Sequence, residues 1–279
     1  MTLRSTFSLT LLLIFFNIPF GKTAQIDTIT TYSKAMKKEI KAVVITPDSY
    51  NKKGPKLPVV YLLHGYSDRY DGWLKKGKGF EIAADTHQII IVCPDGNVSS
   101  WYWDSPVDPE WQYETYVSLE LPAQIDQHYN TIPKREGRAI TGLSMGGHGA
   151  LFLAIRHQDV FGAAGSMSGG VDIRPFPKNW EMSKKLGTYA ENPSRWEQHT
   201  VMNQLHLLVP NGLALIIDCG VDDFFFAVNE KLHQELRYRN IPHDYISRPG
   251  SHTWPYWKNA LQYQMLFMRN YFDQHSQSQ

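Results

Sequence analysis

The chain has 279 residues, 28 lysines and arginines against 27 aspartates and glutamates, and 42% hydrophobic residues. That length suits one large domain with a substantial core rather than two. A formal net charge of +1, without any lysine or arginine block, gives nucleic-acid binding little electrostatic footing.

Residues 1–24 read as an export signal. Arg4 supplies the positive end, Phe7 to Phe20 is an apolar run interrupted at Asn17, and Thr23-Ala24 offers small residues before a cut, so the mature chain would run from Gln25 to Gln279. The run is too short for a stable membrane anchor, and the absence of a cysteine near the cut argues against lipid anchoring. The expected location is secreted or periplasmic. Lys38 to Ile45 alternates as an early antiparallel strand. Short apolar runs then recur at Val59 to Leu63, Ile89 to Cys93, Arg138 to Thr141, Phe161 to Met167, Leu213 to Asp218 and His243 to Arg248. Between them lie stretches with helical spacing, at Phe80 to Thr86, Tyr113 to Tyr129, His148 to His157, Phe225 to Arg239 and Lys258 to Asp273. This alternation predicts an α/β fold, a mainly parallel sheet with helices on both faces. Val171 to Pro210, rich in Pro, Trp and Lys, breaks the alternation and is a candidate small cap over the carboxyl edge of the sheet. Cys93 and Cys219 end apolar runs on strands either side of the central one, which predicts two free, buried thiols despite an exported setting.

Gly142-Leu143-Ser144-Met145-Gly146 matches G-x-S-x-G. A strand that turns sharply into a helix strains the serine backbone, and flanking glycines remove the Cβ atoms that would clash. The pentapeptide alone is common enough to arise by chance, but here a β-run precedes it and a helical stretch follows. Ser144 is therefore the expected nucleophile.

A serine hydroxyl needs a base at neutral pH. Of eleven histidines, only His252 stands on a loop after the last strand. His148 lies along the helix that follows the serine, and His64 shapes a loop. The acid belongs after the preceding strand, where Asp222 and Asp223 both qualify, and spacing does not choose between them. A carboxylate there would fix the histidine tautomer. The other aspartate suits a helix cap. The expected oxyanion donors are the backbone N–H groups of Met145 and of Tyr66, with Gly65 as the alternative to Tyr66, in the loop that begins His64-Gly65. Trp101, Trp180 and Trp254 are the expected substrate-stacking rings, given the number of aromatic residues in loop-like segments.

Taken together, Leu62-Leu63-His64-Gly65-Tyr66, Pro94-Asp95-Gly96, Trp101-Tyr102, Glu120-Leu121-Pro122, Gly142 to Gly147, Asp218 to Phe225 and Gly250-Ser251-His252 resemble the esterase D-like group of α/β-hydrolases. That group contains secreted feruloyl and acetyl-xylan esterases, S-formylglutathione hydrolases and mycolyltransferases related to antigen 85. The resemblance implies the α/β-hydrolase fold. It also implies that Asp223 is the acid, through its G-x-x-D-x-F pattern, and supports the donor at Tyr66. The export signal and the tryptophan-rich loops are closest to the carbohydrate esterases. The expected chemistry is hydrolysis of a feruloyl or acetyl ester of plant polysaccharide, with no metal and no cofactor. The alternatives are a short-chain or S-formylglutathione-type esterase, an acyltransferase using the same triad, and an inactive member that only binds carbohydrate.

Overall fold

The computed structural model describes residues 23–276; all but the last two residues of the expected leader lie outside them. Eight strands form one sheet: β1 Gln25–Ser33, β2 Lys38–Thr46, β3 Val59–Leu63, β4 Ile90–Pro94, β5 Arg138–Gly142, β6 Ala163–Met167, β7 Ala214–Gly220 and β8 Asp244–Arg248. Their spatial order is β1-β2-β4-β3-β5-β6-β7-β8. The first two strands join antiparallel, and every pair from β4 to β8 is parallel. The strand β1 is absent from the expected set. Its side chains are mostly exposed, so it carries little of the apolar alternation by which strands are recognised.

The parallel strands are buried on both faces, which is why they read as continuous apolar runs. Alternate residues of β3 go to opposite cores. Val59, Tyr61 and Leu63 pack with helix Met145–Arg156, helix Leu121–His128 and helix Phe226–Tyr238, whereas Val60 and Leu62 pack with helix Ile82–His87 and the C-terminal helix Trp254–Ser276. The predicted Tyr113 to Tyr129 helix is continuous, but it widens into π-type turns over Tyr116–Glu120. Cys93 and Cys219 are free and buried, on β4 and β7, to either side of β5.

Residues 171–210 contain three short α-helices, Met182–Leu186, Pro193–Gln198 and Val201–Gln204, and a 3-10 helix, Leu205–Leu207. Val171, Ile173, Met182, Leu186, Trp196 and Val201 share the core beneath helix Met145–Arg156. Among the described residues, no helix is long and apolar enough to cross a membrane.

Candidate active site

At the carboxyl end of β5 the chain turns through Ser144, at φ 55° and ψ −116°, directly into helix Met145–Arg156. A non-glycine residue in that region is strained, and the surroundings hold it there. The Ser144 N–H donates to Met167 O on β6 at 2.9 Å, and the Gly146 N–H donates to Leu143 O at 2.7 Å. A Cβ on Gly142 would stand 2.7 Å from Gly146 backbone atoms, and one on Gly146 would stand 2.6 Å from the carbonyl oxygens of Leu63 and His64. The two flanking glycines are thus required by backbone on both sides of the turn, which lets β3, β5 and the helix meet.

The His252 loop, between β8 and the C-terminal helix, faces this turn. His252 Nε2 is 2.9 Å from Ser144 Oγ, and His252 Nδ1 is 2.8 and 3.0 Å from the two carboxylate oxygens of Asp223. The carboxylate can only accept, so Nδ1 carries the proton and Nε2 is left free to accept from the serine hydroxyl. The Phe225 N–H holds Asp223 Oδ1 at 2.8 Å, and the Asp223 side chain is fully buried. Asp222 points elsewhere. It is exposed, its N–H donates to Gly250 O at 2.9 Å, and its carboxylate lies 3.4 Å from the Gly250 N–H. It ties the end of β7 to the start of the histidine loop.

Deeper down, Asp218 is wholly buried and accepts from Tyr256 Oη at 2.5 Å and Arg248 Nη2 at 2.6 Å. Burial raises its carboxyl pKa, against the pull of Tyr256 and Arg248. This cluster clamps β7, β8 and the C-terminal helix together beneath the histidine loop.

Two backbone N–H groups bracket the serine. Among the described residues, neither Met145 nor Tyr66 gives its N–H to an acceptor. Met145 is the first residue of its helix, where N–H groups lack intrahelical partners and the dipole favours negative charge. Beside Tyr66, buried His64 donates from Nδ1 to Gly65 O at 2.8 Å and accepts the Gly96 N–H at Nε2 at 2.8 Å. Burial lowers its pKa, so the ring stays neutral and fixes the Gly65–Tyr66 peptide.

The cleft above Ser144 has a volume of about 560 Å³, and Tyr66, Trp180, Phe224, Trp254 and Trp257 line it together with Asp68 and Lys76. Trp180 stacks on Phe224 with ring centroids 5.9 Å apart, and Phe224 lies 4.2 Å from the His252 ring. Trp257 meets His252 edge-on at 4.8 Å and donates from Nε1 to Ser168 Oγ at 3.2 Å. Trp254 packs edge-on against Trp73 at 5.1 Å.

The expectation for Trp101 is corrected. Its ring is buried and does not line the cleft. Trp101 and Tyr102 both have positive φ, 53° and 61°, which turns the loop inward. The Trp101 ring stacks on Trp103 at 5.6 Å, meets His148 edge-on at 5.2 Å and touches Trp180 from beneath. Tyr102 Oη donates to His64 O at 3.0 Å. This loop supports the cleft rather than walling it. Phe224, absent from the expected set, is the exposed residue between Asp223 and Phe225; its signal was adjacency to the acid. His148 is buried and neutral, with its pKa lowered to about 3 by desolvation. It donates from Nδ1 to Gly170 O and accepts from Trp103 Nε1. Among the described residues, no group of three or more His, Cys, Asp or Glu side chains is arranged to hold a metal ion.

Comparison with known proteins agrees with this architecture. The esterase family model matches residues 33–268. The esterase Rv1288 of Mycobacterium tuberculosis is 36% identical over 237 residues, 75% of this chain and 52% of that protein, so the chain spans about half the length of that relative. The diacylglycerol acyltransferase/mycolyltransferase Ag85B of Mycolicibacterium smegmatis is 29% identical over 252 residues, covering 76% of this chain and 77% of that one. Among solved structures, a ferulic acid esterase superposes with a TM-score of 0.76 at 29% identity, covering 90% of this chain and 99% of that one.

Proposed function

Because the chain belongs to the esterase family and has its α/β-hydrolase fold, we propose that it is an exported serine carboxylic-ester hydrolase that removes feruloyl or acetyl groups from plant polysaccharide. The observation that carries the chemistry is the unbroken relay from Ser144 Oγ through His252 to the buried carboxylate of Asp223. Ser144 is the nucleophile, His252 the general base and acid, and Asp223 the group that holds the imidazole tautomer.

The steps follow from that relay. His252 Nε2 takes the hydroxyl proton as Ser144 Oγ bonds to the ester carbonyl carbon. The carbonyl electron pair moves to oxygen, where the N–H groups of Met145 and Tyr66 receive it. The imidazolium is stabilised by Asp223 and passes its proton to the leaving alcohol as the C–O bond breaks. Water, deprotonated by the same nitrogen, then adds to the acyl-enzyme; the tetrahedral adduct collapses, the proton returns to Ser144 and the acid leaves.

The ring-lined cleft supports a flat aromatic acyl group, since Trp180, Phe224 and Trp254 offer faces and edges to it. The likeness to a ferulic acid esterase points the same way. Ser144→Ala should abolish hydrolysis of methyl ferulate, acetylated xylan and tributyrin, and labelling by a fluorophosphonate; unchanged hydrolysis would refute the assignment. Relative rates on the three esters decide the acyl group. Export is tested by expressing the full chain and sequencing the N-terminus of the protein outside the cytoplasm, where Gln25 is the expected first residue. The likeness to an acyltransferase favours a second reading, transfer of the acyl group to an alcohol. It requires the acylated product to outpace free acid when a sugar acceptor is added.

A further inference from the structure

We propose that the groove beside the nucleophile, formed by the loops that follow β3 and β4, is a subsite for a neutral, polyhydroxylated sugar that forms the alcohol half of the ester. The inference rests on the esterase reading above and adds where, and by what chemistry, the alcohol is held.

The cleft over Ser144 is lined by both rings and charges. Aromatic rings make up much of its lining, and Asp68 and Lys76 complete it, with Lys76 Nζ 5.9 Å from the centre of the Trp254 ring. Those same two residues also line a second cavity of about 480 Å³, so the cleft continues into a polar groove. Both loops lie at the carboxyl edge of the parallel strands, where α/β proteins receive ligands.

The charges in the groove identify the ligand class. Asp68, Asp71 and Asp95 face Arg69, Lys75 and Lys76, three against three. Each cation is held by a carboxylate, with Lys76 Nζ 3.1 Å from Asp68, Lys75 Nζ 2.5 Å from Asp71 and Arg69 Nε 3.1 Å from Asp71. A phosphate or uronate arriving at any of these cations would meet a carboxylate beside it. A hydroxyl has both a proton and lone pairs, so it can donate to the carboxylate and accept from the cation of one pair. Several such pairs in one groove suit a ligand with several hydroxyls. Asp95 adds an acceptor: one oxygen takes the Asn97 N–H at 2.7 Å, and the other has no hydrogen bond among the described residues. Tyr66, exposed in the cleft and next in sequence to Ser67 of the groove, offers an aromatic face to a sugar ring.

Arg69→Ala and Asp71→Asn test the subsite, because neither residue lines the Ser144 cleft. The Arg69 side chain is exposed, so its loss costs folding little, and thermal unfolding checks the fold of the Asp71 variant, whose side chain is largely buried. The substrates are a feruloylated xylo-oligosaccharide and methyl ferulate, which share the acyl group and differ in the alcohol. Each variant should raise KM for the sugar ester roughly tenfold, the effect of about one lost charge-assisted hydrogen bond, and leave kcat/KM for methyl ferulate unchanged. Equal losses on both esters, or no loss on either, would overturn the proposal. Binding of the free neutral xylo-oligosaccharide is followed in parallel by ligand-observed NMR. It should weaken roughly tenfold in both variants, and tighter binding of a glucuronate-bearing oligosaccharide would overturn the neutral class. If neither ester is cleaved by the unmodified protein, the esterase reading fails, while the NMR result still decides whether the groove binds sugar.

Discussion

Asp223→Asn isolates what the buried carboxylate does, because the structure dictates how the amide would sit. Asp223 Oδ1 receives the Phe225 N–H at 2.8 Å, and Oδ2 faces His252 Nδ1 at 2.8 Å. An asparagine must keep its oxygen on the Phe225 N–H, since reversing it would set two donors against each other in a buried place. Its NH2 group then points at His252 Nδ1, which has to become an acceptor. The ring proton moves to Nε2, which donates to Ser144 Oγ instead of accepting from it, and the base is lost with the geometry intact. Wrong-tautomer triads lose about 10⁴-fold in kcat, or about 5 kcal/mol of transition-state stabilisation, with little change in KM. The assay is ester hydrolysis under saturating substrate, with thermal unfolding as a check that the fold survives. Asp222→Asn is the matched control: that side chain is exposed and reaches only the Gly250 N–H at 3.4 Å, so its rate should stay within about threefold, as for an exposed substitution that does not touch the relay. Asp223→Asn within tenfold of wild type, or Asp222→Asn falling as far, would refute the reasoning.

Gly146→Ala would set a methyl 2.6 Å from two carbonyl oxygens; a loss of about 1–3 kcal/mol, seen as a lower urea midpoint and reduced hydrolysis, is expected, and a neutral result would mean the turn is not held as described. Trp180→Ala should lower kcat/KM for a feruloyl ester more than for an acetyl ester, since the ring stacked on Phe224 has more surface to offer an aromatic acyl group; equal losses would place the acyl group elsewhere. Acid stability follows from His148, whose folded pKa of about 3 lies below the usual histidine value of 6.5. Between those values the unfolded chain binds the extra proton, so stability falls as pH drops from about 6.5 toward 3. His148→Gln should reduce proton uptake on unfolding near pH 5 by about one, measured from the pH dependence of the urea midpoint; an unchanged slope would show that His148 does not contribute.

Much of the fold was legible because its signals are local. Parallel strands buried on both faces must be continuous apolar runs, so Val59–Leu63, Ile90–Pro94 and Ala214–Gly220 stood out. The strand β1 did not, because an exposed edge strand needs no such run. Trp101 was misread because a loop-like sequence does not reveal which way its rings turn. Two consecutive positive φ angles, which no composition rule predicts for Trp-Tyr, bury it beneath Trp180.

The order of Ser144, Asp223 and His252 along the chain, each just past a strand, belongs to the sequence alone, since strand-end punctuation and glycine spacing are properties of neighbours in the chain. The choice between Asp222 and Asp223 was available to residue spacing only as a tie, broken by family resemblance. In the fold it turns on direction: Asp223 points inward to His252 Nδ1 and Asp222 outward to Gly250. Tertiary structure alone decided which aromatic rings face the serine, and it joined the ring-lined cleft to a charge-balanced groove through Asp68 and Lys76. Such surfaces are assembled from loops after β3, β4, β6, β7 and β8 that are distant in sequence, and no local pattern encodes which side chains meet across them.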